Sequence, residues 1–284
     1  MFGRKKQVQT RNDSVIEARV ANSKILVSNL RKSYVNKRRE TVAIADVSIE
    51  ILDNEFVSIV GPSGCGKSTL LRILAGLDEA TDGTVILDDK LIDEPGADRG
   101  MVFQTYTLFP WLSVEENIRF GLKIRKIPRK QAEEIVNRYL EIIKLTSFRK
   151  SYPKELSGGM QQRVAIARAL ANSPKVLLMD EPFGALDSQT KSEMQLLMRQ
   201  IWQVDKPTVV FITHDIEEAV FLSTRVYVMS GQPSMIKANI PIYLSYRRSL
   251  EIKDTLEFRE YRQNITALLH DKEADAEAGV AAES

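Results

Sequence analysis

The chain has 284 residues, enough for one large or two small domains around a sizeable core. Charged residues make up 27 % and hydrophobic residues 43 %, ordinary for a globular protein, and a net charge of +2 from 40 basic and 38 acidic side chains gives no sign of nucleic-acid binding. No apolar run approaches the roughly 18 residues that span a bilayer. No apolar stretch follows the basic start Met1-Phe2-Gly3-Arg4-Lys5-Lys6, which excludes a secretory signal, and a lone cysteine excludes an internal disulfide.

Residues 1–23 read as a tail, basic over 1–11. Strands are expected across 24–60: Ile25-Leu26-Val27 is a short apolar run, and Val47, Ile49 and Ile51 alternate with polar neighbours. Phe56–Val60 is a further apolar run that enters a glycine-rich turn directly, and a helix is predicted over Lys67–Leu77. Gly83–Leu87 reads as another strand. Residues 105–165 form a mainly helical insertion, with an amphipathic stretch at Gln131–Phe148 between Pro128 and Pro153, and a helix follows over Val164–Ala171. Then come a strand at 176–179, a helix at Gln189–Val204, a strand at 208–212, a helix at 215–222 and a strand at 225–229. This alternation predicts an α/β fold with a mainly parallel sheet and helices on its faces. Residues 246–284 are an extension, either a helix over Leu250–Leu269 or a poorly ordered end, closing on an acidic, Ala-rich tail at 271–284.

Gly61-Pro62-Ser63-Gly64-Cys65-Gly66-Lys67-Ser68, followed by Thr69, stands between a strand and a helix. Glycines there let the backbone curl until successive N–H groups face a phosphate, and the helix adds its positive end. Lys67 is placed to reach the β- and γ-phosphates, and the Ser68 hydroxyl to ligate Mg²⁺. Asp180 ends an apolar strand, where a carboxylate holds Mg²⁺ opposite Ser68, and Glu181 follows at once. Cys65 occupies a spacer position in the loop, where its backbone N–H rather than its thiol does the binding.

Leu156-Ser157-Gly158-Gly159-Met160-Gln161-Gln162-Arg163 is a second anion nest, a hydroxyl and two glycine amides at a helix start. With Gln104, Asp187 in Ala185-Leu186-Asp187, and His214 after the strand Phe211-Ile212, these motifs occur in a fixed order along the chain. From about residue 24 to about residue 245 the chain resembles the ATP-binding subunit of an ABC transporter. The resemblance implies a P-loop core, an antiparallel β layer and a helical signature subdomain. It implies that Ser157, Gly158 and Gly159 close on the ATP held by the P-loop of a facing copy or homologue, so that the ATPase is a head-to-tail dimer. It further implies Glu181 as general base, His214 on the γ-phosphate, Gln104 reaching Mg²⁺ or the attacking water, Asp187 at the dimer seam, and Lys67 in catalysis. Tyr34 is either the aromatic on which adenine stacks or a strand aromatic packed in the β layer.

A single ATPase unit without a membrane span is similar to importers whose permease is a separate chain, on the cytoplasmic face of the inner membrane. Thr105–Leu112 is rich in large apolar groups, and the resemblance places Phe109 and Trp111 at the groove that receives the permease. Pro95–Gln104 and Leu108–Leu112 are similar to the nitrate/sulfonate/taurine import group, which implies a small anionic solute and an extracytoplasmic solute-binding protein. The alternative is a non-transport member of the superfamily, driving lipid trafficking or complex assembly. A P-loop kinase explains residues 61–68 but leaves the signature without a purpose.

Overall fold

The computed structural model describes residues 23–36, 39–105 and 107–271; the basic start at 1–11, residues 272–284 of the acidic end and Tyr106 lie outside the described residues. In chain order the strands are β1 (Ser23–Asn36), β2 (Arg39–Leu52), β3 (Phe56–Val60), β4 (Asp82–Leu87), β5 (Lys90–Leu91), β6 (Arg99–Val102), β7 (Val176–Asp180), β8 (Thr208–Ile212), β9 (Arg225–Met229) and β10 (Ser234–Pro241). The α-helices are α1 (Lys67–Leu74), α2 (Val114–Ile124), α3 (Arg129–Ile142), α4 (Gly158–Ala171), α5 (Ser188–Asp205), α6 (Ile216–Leu222) and α7 (Leu256–His270).

The strands hydrogen-bond in the order β5-β4-β1-β2-β10-β9-β3-β8-β7-β6. From β9 to β6 every pairing is parallel, whereas β1, β2, β4 and β5 pair antiparallel. The parallel strands are covered on both faces, which is why they read as unbroken apolar runs. Phe56, Leu177, Met179, Val209 and Phe211 enter one core with α2–α6, while Val57, Ile59, Val176, Leu178, Val210 and Ile212 enter a second with α1 and the antiparallel layer. Because β3, β7 and β8 run parallel, the glycine loop, Asp180 and the segment after Ile212 all leave the same edge of the sheet. That edge, the carboxyl ends of the strands, is where open α/β sheets place their ligands.

Several helix ends differ from the sequence expectation, each for a local reason. α1 stops at Leu74 rather than Leu77, because Gly76 turns left-handed at φ +72, where a Cβ would lie 2.3 Å from the Glu94 carbonyl oxygen. α3 stops at Ile142, and Lys144 at φ +57 turns the chain before Leu145 re-enters the core. α4 starts at Gly158, six residues earlier than Val164, because the Ser157 side chain caps it by accepting from the Met160 amide. In the extension, a 3-10 turn at Leu250–Asp254 leads into α7, capped by Thr255 and anchored through Phe258 and Ile265, both fully buried. The buried Arg248 donates through Nη1 to the carbonyls of Val220, Phe221 and Ser223, satisfying the C-terminal end of α6.

Candidate active site

The glycine loop curls through Gly64 at φ +78 and Gly66 at φ +100, conformations that glycine reaches without strain. Gly61 is required by close approach, since a Cβ there would lie 2.8 Å from Cys65 Sγ. Lys67 is buried and curls back over the loop, donating from Nζ to the carbonyls of Gly61 at 2.8 Å and Pro62 at 2.9 Å. Pro62, Ser63 and Gly64 are exposed, and Thr69 is half-buried in the first turn of α1. Cys65 is buried, and burial pushes its thiol up, opposed by the Lys67 ammonium. A thiol held protonated is a poor nucleophile, which agrees with a spacer role.

The Ser68 hydroxyl donates to Asp180 Oδ1 at 3.0 Å. Burial pushes the Asp180 carboxyl above its ordinary range, the Ser68 hydrogen bond opposes that, and the neighbouring Glu181 charge adds to it. A hydroxyl and an under-neutralised carboxylate together form a hard oxygen donor set. No cluster of three or more His, Cys, Asp or Glu ligands occurs among the described residues. The Ser68 and Asp180 oxygens fit a magnesium ion, which keeps most of its waters and takes few protein ligands alongside phosphate oxygens.

Glu181 sits at φ +43, an uncommon backbone for a residue other than glycine, and such strain costs on the order of 1–3 kcal/mol. It is held there by its amide donating to the Ile212 carbonyl at 2.9 Å and its carbonyl accepting from the Gly184 amide at 3.1 Å. The turn brings its Oε2 to 3.0 Å from Nδ1 of the exposed His214. Gly184 separates Glu181 from Gln104: a methyl built on it would stand 3.8 Å from both Gln104 Nε2 and Glu181 Oε2. Lys67, Ser68, Asp180, Glu181, His214 and Gln104 therefore share one polar edge of the sheet.

Ser157, Gly158, Gly159 and Asp187 form a separate group. Ser157 caps α4, and Asp187 caps α5 by accepting from the Thr190 amide at 3.0 Å and the Thr190 hydroxyl at 2.6 Å. Those bonds hold the Asp187 carboxyl below its ordinary range. The two caps meet at Gly159, where a Cβ would lie 2.4 Å from Thr190 Cγ2. Among the described residues no hydrogen bond or ion pair connects this group to the phosphate-loop group. Tyr34 lies on β1 with its ring 45 % exposed, its hydroxyl donating to Asp78 Oδ2 at 2.9 Å and Lys32 Nζ 4.8 Å from the ring centroid.

A match to the ABC transporter family model covers residues 44–184. The nitrate import ATP-binding protein NrtD of Synechocystis sp. is 47 % identical over 261 residues, 90 % of this chain and 98 % of that protein. The chain belongs to the ABC transporter ATP-binding family. It is an ATPase of that family. An uncharacterized ABC transporter ATP-binding protein of Methanocaldococcus jannaschii is 48 % identical across 88 % of this chain and 92 % of its own length. The aliphatic sulfonates import ATP-binding protein SsuB of Bacillus cereus is 46 % identical across 82 % of this chain and 90 % of its own length. The cassette MJ0796, solved as a dimer in a post-hydrolysis state bound to ADP and Pi, superposes with a TM-score of 0.68 at 34 % identity, covering 78 % of this chain and 100 % of that one.

A second surface of this ABC ATPase lies on the helical block. Phe109 stacks on Phe120 at 4.3 Å and on Trp111 at 5.6 Å between ring centroids, and Trp111 is 69 % exposed. Phe103, Phe109, Phe120, Ile124 and Arg168 line an open groove of about 450 Å³. Two polar residues shape it. Fully buried Asn117 clamps the loop by accepting from the Phe109 amide and donating to the carbonyls of Phe109, Leu112 and Ser113. Arg168, on the signature helix, donates to the carbonyl of Thr107, which turns left-handed at φ +43. Sequence reasoning named Phe109 and Trp111 but missed Phe120 and Ile124, although the two stand four residues apart, a readable helical spacing.

Proposed function

We propose that this chain is the ATP-hydrolysing subunit of an importer, docked on a separate transmembrane permease at the cytoplasmic face of the membrane, and that the solute is a small anion. The observation that carries the ATPase mechanism is the convergence of Lys67, Ser68, Asp180, Glu181 and His214 on one sheet edge, with the signature group standing apart from it. The names of the relatives, nitrate and aliphatic sulfonate import ATP-binding proteins, support the solute class.

Two copies meet head to tail, each binding ATP on its own phosphate loop. The loop amides and the α1 N-terminus donate to the phosphate oxygens, and Lys67 exchanges its bonds to the Gly61 and Pro62 carbonyls for the β- and γ-phosphate oxygens. Ser68 and Asp180 would hold magnesium, which would supply positive charge against the phosphates. Glu181 takes a proton from the water aligned with the γ-phosphorus. His214, anchored at Nδ1 by Glu181 Oε2, presents its other ring nitrogen to a γ-phosphate oxygen. Gln104 orients the water from across Gly184. Ser157 and the Gly158 and Gly159 amides of the facing copy bind the remaining γ-oxygens, so that hydrolysis removes the bridge between the copies. The Phe109–Phe120 groove, with the exposed Trp111 beside it, receives a cytoplasmic helix of the permease, and a solute-binding protein outside delivers the anion.

The test is purification of the tagged chain from detergent-solubilised membranes. A co-purifying multi-span permease supports the importer. Recovery of a soluble complex alone would favour a non-transport ABC ATPase and sink the transport reading.

A further inference from the structure

The residues on either side of His214 are tied into a buried network that the reaction scheme does not use. Thr213 Oγ1 donates to Glu218 Oε2 at 2.6 Å and accepts from the Asp215 amide at 3.0 Å. Asp215 Oδ1 in turn accepts from the amides of Glu217 and Glu218, capping α6. Glu218 is only 2 % exposed, and its other oxygen, Oε1, accepts no hydrogen bond. The cation that faces both carboxylates is Lys191, with Nζ 3.2 Å from Asp215 Oδ2 and 3.4 Å from Glu218 Oε1. Lys191 belongs to the first turn of α5, where its amide donates to the Asp187 carbonyl at 2.8 Å.

Removing that ammonium would leave two carboxylates facing each other at the foot of α6, one of them buried. Burial already pushes the Glu218 carboxyl up, the Thr213 hydrogen bond opposes this, and the Asp215 charge adds to it. An uncompensated buried charge is relieved by protonation or by displacement of the element that carries it. Either route disturbs the Thr213–Asp215 backbone, and His214 is the residue between them.

We propose that Lys191 is a positioning residue for His214, coupling the Asp187 turn at the head of α5 to the imidazole through Asp215, Glu218 and Thr213. The proposal rests on the reading that places His214 at the γ-phosphate. It gives the two groups of site residues a link of ion pairs and hydrogen bonds within one copy: a shift of the Asp187 turn by the facing copy is felt at His214 through the Lys191 side chain.

The experiment combines steady-state ATP hydrolysis with imidazole NMR on the full chain, which carries two histidines, His214 and His270. Lys191→Met is expected to lower kcat about tenfold with KM for ATP within about twofold of wild type, and Lys191→Arg to restore most of the loss. The His214 ring signals should shift in Lys191→Met while those of His270 stay in place, a signature that a merely structural role would not give. Thr213→Val, which keeps the shape and cuts the same chain of bonds, should shift His214 in the same way and decides the matter if Lys191→Met does not fold. Unmoved His214 signals in the folded variants would overturn the coupling, whatever happens to kcat. Full turnover by His214→Ala would overturn the functional reading and the coupling together, whereas loss in His214→Ala with wild-type turnover in Lys191→Met would overturn the coupling alone.

Discussion

The phosphate loop and the signature loop both place glycines at the head of a helix, yet they are built in opposite ways. The phosphate loop is contorted by left-handed Gly64 and Gly66 and closed from inside by a buried lysine. The signature loop is relaxed: Ser157 is an ordinary N-cap, and Gly158 and Gly159 are the first two residues of a regular helix. The phosphate loop also has Asp180, Glu181 and His214 gathered around it by the parallel register of β3, β7 and β8. The signature loop has Thr190 and Asp187 beside it. The difference teaches that one copy folds a contorted, lysine-closed phosphate loop and, apart from it, an open anion nest. In the proposed head-to-tail dimer, the nest of a second copy faces each phosphate loop.

The largest effect is expected from breaking the chemistry on the phosphate-loop side alone. Glu181→Gln keeps the shape but cannot take a proton, so turnover should fall by roughly 10²–10⁴-fold while ATP binding persists. Light scattering with ATP should then find a stable dimer, and a monomer would count against the head-to-tail arrangement. On the other side of the comparison, Gly159→Val puts a branched side chain where even a methyl is 2.4 Å from Thr190 Cγ2. It should lower turnover by roughly 10²-fold, the scale of losing one preorganised donor, with nucleotide affinity of the isolated chain nearly unchanged by equilibrium binding. Trp111→Ala alters neither half. Its ring is exposed, so the melting temperature should hold, while permease-stimulated hydrolysis drops about tenfold or more as an anchor is lost. The smallest effect sharpens the signature side: Asp187→Ala removes the α5 cap and should lower the midpoint of a denaturant titration slightly.

Much of this fold was legible because its strands are short, apolar and evenly interrupted. Phe56–Val60, Val176–Met179 and 208–212 read as buried strands, and their buried pattern is that of a sheet covered on both faces. Helix ends were less legible where the decisive residue is a backbone conformation. Lys144 at φ +57 breaks an apolar period that continues in the sequence through Leu145, and two glycines hid the true start of α4. The extension was ambiguous because α7 buries few side chains of its own, chiefly Phe258 and Ile265, and because it is the Arg248 guanidinium, which no local pattern announces, that ties the extension to α6. Within the site, the motifs marked Ser68, Asp180, Glu181 and His214, and the structure brings them together. The residues that hold them were silent. Thr190 bonds Asp187 three positions away, Glu218 bonds Thr213 five away and Lys191 reaches Asp215 across 24, individual side-chain contacts that periodicity cannot reveal.

The account stands on the claim that each site is completed in trans, and mixing two inactive variants tests it most directly. Lys67→Ala removes the phosphate-loop cation and Gly159→Val damages the signature. In a mixed dimer one site inherits both lesions and the other inherits neither. An equal mixture should therefore regain roughly a quarter of wild-type hydrolysis, as half the dimers are mixed and half their sites intact. A mixture no more active than either variant alone would contradict the account and return both loops to a single copy.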